Sequence, residues 1–205
     1  KFVLPTEACN GANIGQKEWF GPSPGNWMYG YAYSHDVLWQ LRNGAAGWTD
    51  WNLMLNGQGG PNAFGNFVAS AVTVEDEGTF YLEPMYFHLA HFSKYILPGS
   101  VRVHLGIRCG ARNEQWCQAV AFQRPDGYAV VVLTNDELTG LPFGDVLKGV
   151  PIISKHTMPA LAKGEGRELT WTIACGSFSV SGSIPWKAIQ TVMLPCGLGG
   201  PQQQA

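Results

Sequence analysis

The chain has 205 residues, of which 45% are hydrophobic and 14% charged, with a formal net charge of −2. That balance excludes a disordered or charge-tailed chain and gives no bulk electrostatic reason to bind nucleic acid. No run reaches the roughly eighteen apolar residues of a membrane span, and no Asn-x-Ser/Thr sequon is present.

Lys1 to Gly11, KFVLPTEACNG, reads as a short buried parallel strand and the loop that follows it. Glu7 then stands at the C-terminal end of a strand. A carboxylate there is costly to bury unless something uses it, and in a (β/α)8 barrel that end carries the catalytic groups. The plainer reading is a helix cap or a salt-bridge partner. The chain reads as beginning in mid-structure, with Lys1 followed directly by the strand rather than by a signal-peptide pattern. Gly21 to Asn26, GPSPGN, is a turn-rich loop. From Trp27 the pattern is helical, with Tyr31, His35, Leu38 and Arg42 along one side and Asn43-Gly44 as the stop. Ala45 to Trp51, AAGWTDW, reads as a second buried strand, and NLMLNGQGGPN as a long loop of the functional kind. Glu83-Pro84 opens another helix, with Met85, Leu89, Phe92 and Ile96 as its apolar stripe and Pro98-Gly99 at its end.

After Gly99 the period becomes strand-like. SVRVHLGIR alternates, AVAFQRPDGYAVVVLTND is a hairpin turning at Pro125-Asp126-Gly127, and RELTWTIACGSFSVSGSI and IQTVMLP supply further strands. This half reads as an antiparallel sandwich, and GLGGPQQQA as a flexible tail. The fold class is therefore α/β followed by all-β: residues 1–98 as the C-terminal part of a (β/α)8 barrel, 99–196 as a β-sandwich and 197–205 as a tail. A whole barrel takes about 250 residues, so the α/β part holds only its last two β/α units. Five cysteines match no zinc spacing, and the odd number leaves at least one free thiol. Cys109 with Cys117 and Cys175 with Cys196 is one of several pairings open to the rest, and disulfides would imply an oxidising compartment.

Four motifs carry a family resemblance: TEACNG (6–11), YSHDVL (33–38), GWTDWNLMLNGQGGPN (47–62) and FYLEPMYFHLAHFSKYILPGS (80–100). In order and spacing they resemble the C-terminal part of the glucosylceramidases of glycoside hydrolase family 30. The resemblance implies a retaining β-glucosidase that hydrolyses glucosylceramide to glucose and ceramide without a cofactor or metal. It also implies a glycolipid substrate at a membrane surface, a lipid-presenting activator protein as a partner, and a lysosomal or secreted protein peripheral to the membrane. By the same resemblance Glu7 is the nucleophile, Trp51 borders the sugar subsite, and Asn66 lies near the pocket mouth.

Two departures stand against it. The acid/base Glu of the family's Asn-Glu-Pro motif is absent from these 205 residues, and Leu82-Glu83-Pro84 only approximates it at a helix start. Ala63 replaces a usual aromatic residue, which weakens the lipid inference. A relative cleaving other glucosides, glucans or xylosides is the alternative, and a non-catalytic carbohydrate-binding fragment is a third reading. Among the remaining residues, Trp48 reads as core, and Asp50 and His35 as structural partners. His88 and His91 lack a third metal ligand, and Cys9 reads as a buried free thiol.

Overall fold

The computed structural model describes residues 1–10, 22–65, 67–104, 108–109, 117–135, 168–175 and 178–195. Helix α1 (Trp27–Arg42) starts where Asn26 Oδ1 accepts the Met28 N–H at 3.1 Å, and it ends at Asn43. Its inner face is Gly30, Tyr33, Ser34, Val37 and Leu41 with Tyr31 and Leu38, whereas Arg42 is exposed, so the stripe is wider than the sequence spacing suggests. The loop after Trp51 is more ordered than its glycines and asparagines imply. It contributes β1 (Met54–Asn56), which pairs in parallel with β2 (Val72–Val74), and β2 pairs antiparallel with β3 (Phe80–Leu82).

Helix α2 (Pro84–Ser93) has Pro84 at its first turn, as the sequence predicts, but stops short of Pro98-Gly99. The Glu83 side chain does not cap it. Instead Glu83 Oε2 accepts the Gly25 N–H at 2.7 Å, tying the entrance of α1 to the entrance of α2.

The second half forms two antiparallel sheets. One has the order β10-β7-β6-β4 (Ile189–Leu194, Ala129–Asn135, Cys117–Gln123, Val101–Val103). The other has the order β5-β8-β9 (Arg108–Cys109, Leu169–Cys175, Phe178–Ile184). One face of the larger sheet, with Ala119, Ala121, Val131 and Leu133, packs on Trp171 and Ile173 of β8 and Ile184 of β9. Its other face, with Val120, Phe122, Val130 and Val132, packs on Val37, Leu38 and Leu41 of α1 and Phe92 of α2. The central sheet is thus buried on both sides, which is why every residue of β7 is buried while β8 alternates buried and exposed. The layers run helices, four strands, three strands, and no closed barrel forms among the described residues.

Two expected strands are not strands. Lys1 to Gly11 and Ala45 to Trp51 read as strands, but among the described residues only a single parallel bridge, Val3 with Ala45, and one further backbone hydrogen bond, Trp51 N–H to Ala8 O, join them. Phe2 and Val3, expected to be buried, are 76% and 66% exposed. The apolar run specifies a strand, but among the described residues Phe2, Val3 and Leu4 stay exposed and no strand pairs with the run. Of the cysteines, Cys175 is disulfide-bonded and Cys9 is free. Cys196 and the tail lie outside the described residues, as do the side chains of Cys109 and Cys117.

Candidate active site

Beyond the isolated Val3–Ala45 bridge, a further backbone hydrogen bond joins the two segments next to Glu7. Ala46 N–H donates to Val3 O at 2.8 Å, and Trp51 N–H donates to Ala8 O at 2.8 Å, with the same sequence separation. Glu7, Cys9 and Trp51 are exposed, whereas Ala8, Asn10, Asp50 and Asn52 are half-buried. Glu7 and Trp51, two of the residues that the sequence singles out, thus lie exposed on two adjoining segments. Asn66 lies outside the described residues. Cys9 is not buried, as its apolar character suggests, but exposed.

The half-buried residues of the two segments are fastened to α1. Asn10 Nδ2 donates to Tyr29 O at 2.8 Å, and Tyr33 Oη donates to Asp50 Oδ1 at 2.5 Å. Asp50 Oδ1 also accepts the Trp51 N–H at 2.9 Å. Tyr33 is itself held edge-on by Trp48, with ring centroids 4.9 Å apart, and Trp48 Nε1 donates to Asp36 Oδ2 at 2.6 Å. Burial pushes the Asp50 carboxyl up to about 6, against the opposing pull of the Tyr33 hydroxyl and the Trp51 N–H. The Tyr33 hydroxyl is raised by burial and then by the Asp50 charge. The Cys9 thiol is raised by partial loss of hydration, then by Asp50 and Glu7. These three side chains and Glu7 therefore form one electrostatically connected group.

Asp50 is the structural partner expected of it. Tyr33 is not singled out by the sequence, although a hydroxyl on the inner face of a helix demands an acceptor, and the next extended segment offers Asp50. Three of the histidines have separate partners: His35 Nδ1 lies 3.0 Å from Gln118 Nε2, His88 Nδ1 3.0 Å from Ser34 Oγ, and His91 Nδ1 2.9 Å from Thr191 Oγ1. Among the described residues no group of three His, Cys, Asp or Glu is disposed to hold a metal.

Residues 1–96 match the glycosyl hydrolase family 30 TIM-barrel domain. This is a glucosylceramidase-like chain of glycoside hydrolase family 30. It is 43% identical over 143 residues to the lysosomal acid glucosylceramidase of Mus musculus, covering 69% of this chain and 26% of that protein. It is 28% identical over 120 residues to an endo-1,6-β-D-glucanase of Aspergillus fumigatus, covering 58% of this chain and 24% of that one. Among solved structures, an endo-β1,6-glucanase superposes with a TM-score of 0.65 at 22% identity, over 94% of this chain and 35% of its own. The family-30 chain thus spans about a quarter of the length of the curated relatives it matches.

Proposed function

We propose that the complete protein carrying this family-30 chain is a retaining β-glucosidase that hydrolyses glucosylceramide to glucose and ceramide. The observation that carries the reading is the backbone hydrogen bond from Trp51 N–H to the carbonyl oxygen of Ala8, the residue after Glu7, which joins the two segments where both the Glu7 and Trp51 side chains are exposed. Glu7 attacks the anomeric carbon as the bond to the ceramide oxygen breaks, giving a glucosyl ester on Glu7. A second carboxyl protonates the departing oxygen and then takes a proton from the water that hydrolyses the ester. The two carboxyls of such a pair stand about 5–5.5 Å apart. That second group has to come from outside these 205 residues, since they contain no Asn-Glu-Pro. Trp51 offers the sugar an apolar indole face and one N–H donor, and Asn66 adds a polar contact at the pocket mouth. Neither metal nor cofactor is needed for this chemistry.

The same reading makes residues 1–98 the last two β/α units of a barrel and 99–196 a β-sandwich beside it. It puts the protein in a lysosomal or secreted setting, peripheral to a membrane that holds the glycolipid, with a lipid-presenting activator as partner. The 43% identity to the mouse lysosomal enzyme supports this choice. A glucan-cleaving relative is the second reading, favoured by the Aspergillus glucanase and by Ala63 in place of an aromatic residue.

The test is peptide mapping of the complete protein after reaction with a 2-deoxy-2-fluoroglucosyl inactivator bearing a good leaving group. A fluoroglucosyl adduct on the peptide containing Glu7, lost in Glu7→Gln together with nearly all turnover, is the expected result. Labelling elsewhere, or full turnover by Glu7→Gln, would overturn the nucleophile. Turnover of glucosylceramide against β-1,6-glucan separates the two substrates.

A further inference from the structure

The exposed part of the site is positioned from behind, and the positioning passes through one pair of side chains. The N–H of Trp51 is shared: it donates to Ala8 O, the carbonyl next to Glu7, and to Asp50 Oδ1. Asp50 Oδ1 is in turn held by Tyr33 Oη, and Tyr33 is 3% exposed and clamped by Trp48. The other oxygen, Asp50 Oδ2, is buried with no hydrogen-bond partner among the described residues, as is Asn52 Oδ1 two residues on. A carboxylate with one oxygen buried and unpartnered is unfavourable where packing alone is needed. An apolar residue in that place would cost less.

We infer that Tyr33 and Asp50 are a positioning pair that sets Glu7 against Trp51. The inference rests on Glu7 being the nucleophile. Three features point the same way. The carboxylate oxygen that receives Tyr33 also receives the N–H that links the two segments of the site beside Glu7. Tyr33 sits on a helix packed on the central sheet, so the reference is rigid. The segment holding Glu7 has few other ties: among the described residues its backbone is held at Val3 O, Ala8 O and Asn10 O and by the Asn10 N–H at the Tyr33 hydroxyl, and the Asn10 side chain adds its bonds to Tyr29 O and Met85 Sδ. Neither Tyr33 nor Asp50 touches the reacting atoms. Their effect is on the placement of a nucleophile whose rate depends steeply on geometry.

The pair is tested in the complete protein with Tyr33→Phe, Asp50→Asn and the double variant. Each is assayed with an aryl β-glucoside and by the rate of fluoroglucosyl labelling, per folded molecule, with Glu7→Gln as a parallel control. Tyr33→Phe keeps the ring against Trp48 and removes only the hydroxyl. The expected result is a fall of about tenfold in kcat and in labelling rate with KM within about threefold, from loss of near-attack geometry. The double variant should fall little further than the worse single one, because the two act as a unit. If both single variants label and turn over at the parent rate per folded molecule, the pair is merely structural and the inference fails while Glu7 stands. A loss of melting temperature with unchanged kcat overturns it in the same way. If Glu7→Gln remains active, the nucleophile reading fails first and the positioning role falls with it.

Discussion

His88 shows what a single buried residue can demand of the solvent. It is fully buried between α1 and α2, edge-on to Trp27 at 4.9 Å. Ser34 Oγ donates to Tyr31 O, so it accepts from His88 Nδ1–H, and His88 Nε2 is left without a partner among the described residues. A proton added at Nε2 would bring an unpaired charge into an apolar interface. Burial, with a smaller push from His91, holds the imidazole down to about 4. A histidine depressed in the fold binds its proton more readily when unfolded. Its contribution is therefore complete above about pH 6.5 and is lost as pH falls toward 4. The loss amounts to about 3 kcal/mol across that window. Thermal melts at pH 7, 5.5 and 4.5 should show a falling midpoint whose slope is shallower in His88→Leu. An equal slope in both would remove His88 as the source. Nothing in the sequence announces this role: two histidines three apart on a helix suggest metal spacing, and only the packing of Ser34 and Gly30 shows that one is a buried neutral partner.

At the level of elements, Gly30 decides how closely α1 and α2 can cross. A glycine in mid-helix ordinarily costs about 1 kcal/mol relative to alanine, so Gly30→Ala should stabilise an isolated helix. Here a methyl group would meet the Pro84 carbonyl oxygen at 2.6 Å and the His88 ring as well. The carbonyl belongs to the backbone and cannot swing away, so overpacking wins by roughly 1–3 kcal/mol. A lower unfolding midpoint in urea for Gly30→Ala checks the sign, and a higher one would mean that the crossing can open. Elements specified by their own residues are legible in the sequence: α1 with its Asn26 cap and Asn43-Gly44 stop, α2 with Pro84, and the hairpin about Asp126-Gly127. Elements that depend on distant partners are not. MLN of β1 is a strand only because Val72–Val74 lies beside it. Conversely KFVLP has strand composition and forms only an isolated bridge. The same holds for the site: Glu7 and Trp51 can be chosen from motifs, but Tyr33 requires knowing which segment α1 covers.

Across the whole molecule, stability is unevenly shared. The central sheet is covered on both faces, and Val130, Val132 and Leu133 are wholly buried within a seven-residue register with β6 and a six-residue register with β10. The first ten residues expose Phe2, Val3 and Leu4 and hold to the rest by a few backbone bonds. Local opening free energies range from near zero at such segments to the full unfolding free energy in the core. In the isolated 205-residue chain, amide exchange should therefore be slowest in Ala129–Asn135 and close to unprotected in residues 1–8. Apolar surface around Phe2 to Leu4 should also bind a hydrophobic dye. In the complete protein the expectation for residues 1–8 reverses. The proposed barrel would cover the apolar side chains and pair the open edge of Val3, so protection there should rise by orders of magnitude while that of β7 changes little. Equal protection of residues 1–8 in both would mean that this segment is finished as it stands. That outcome would remove the structural reason for reading it as one strand of a barrel and would leave Glu7 without the rigid strand end that a nucleophile requires.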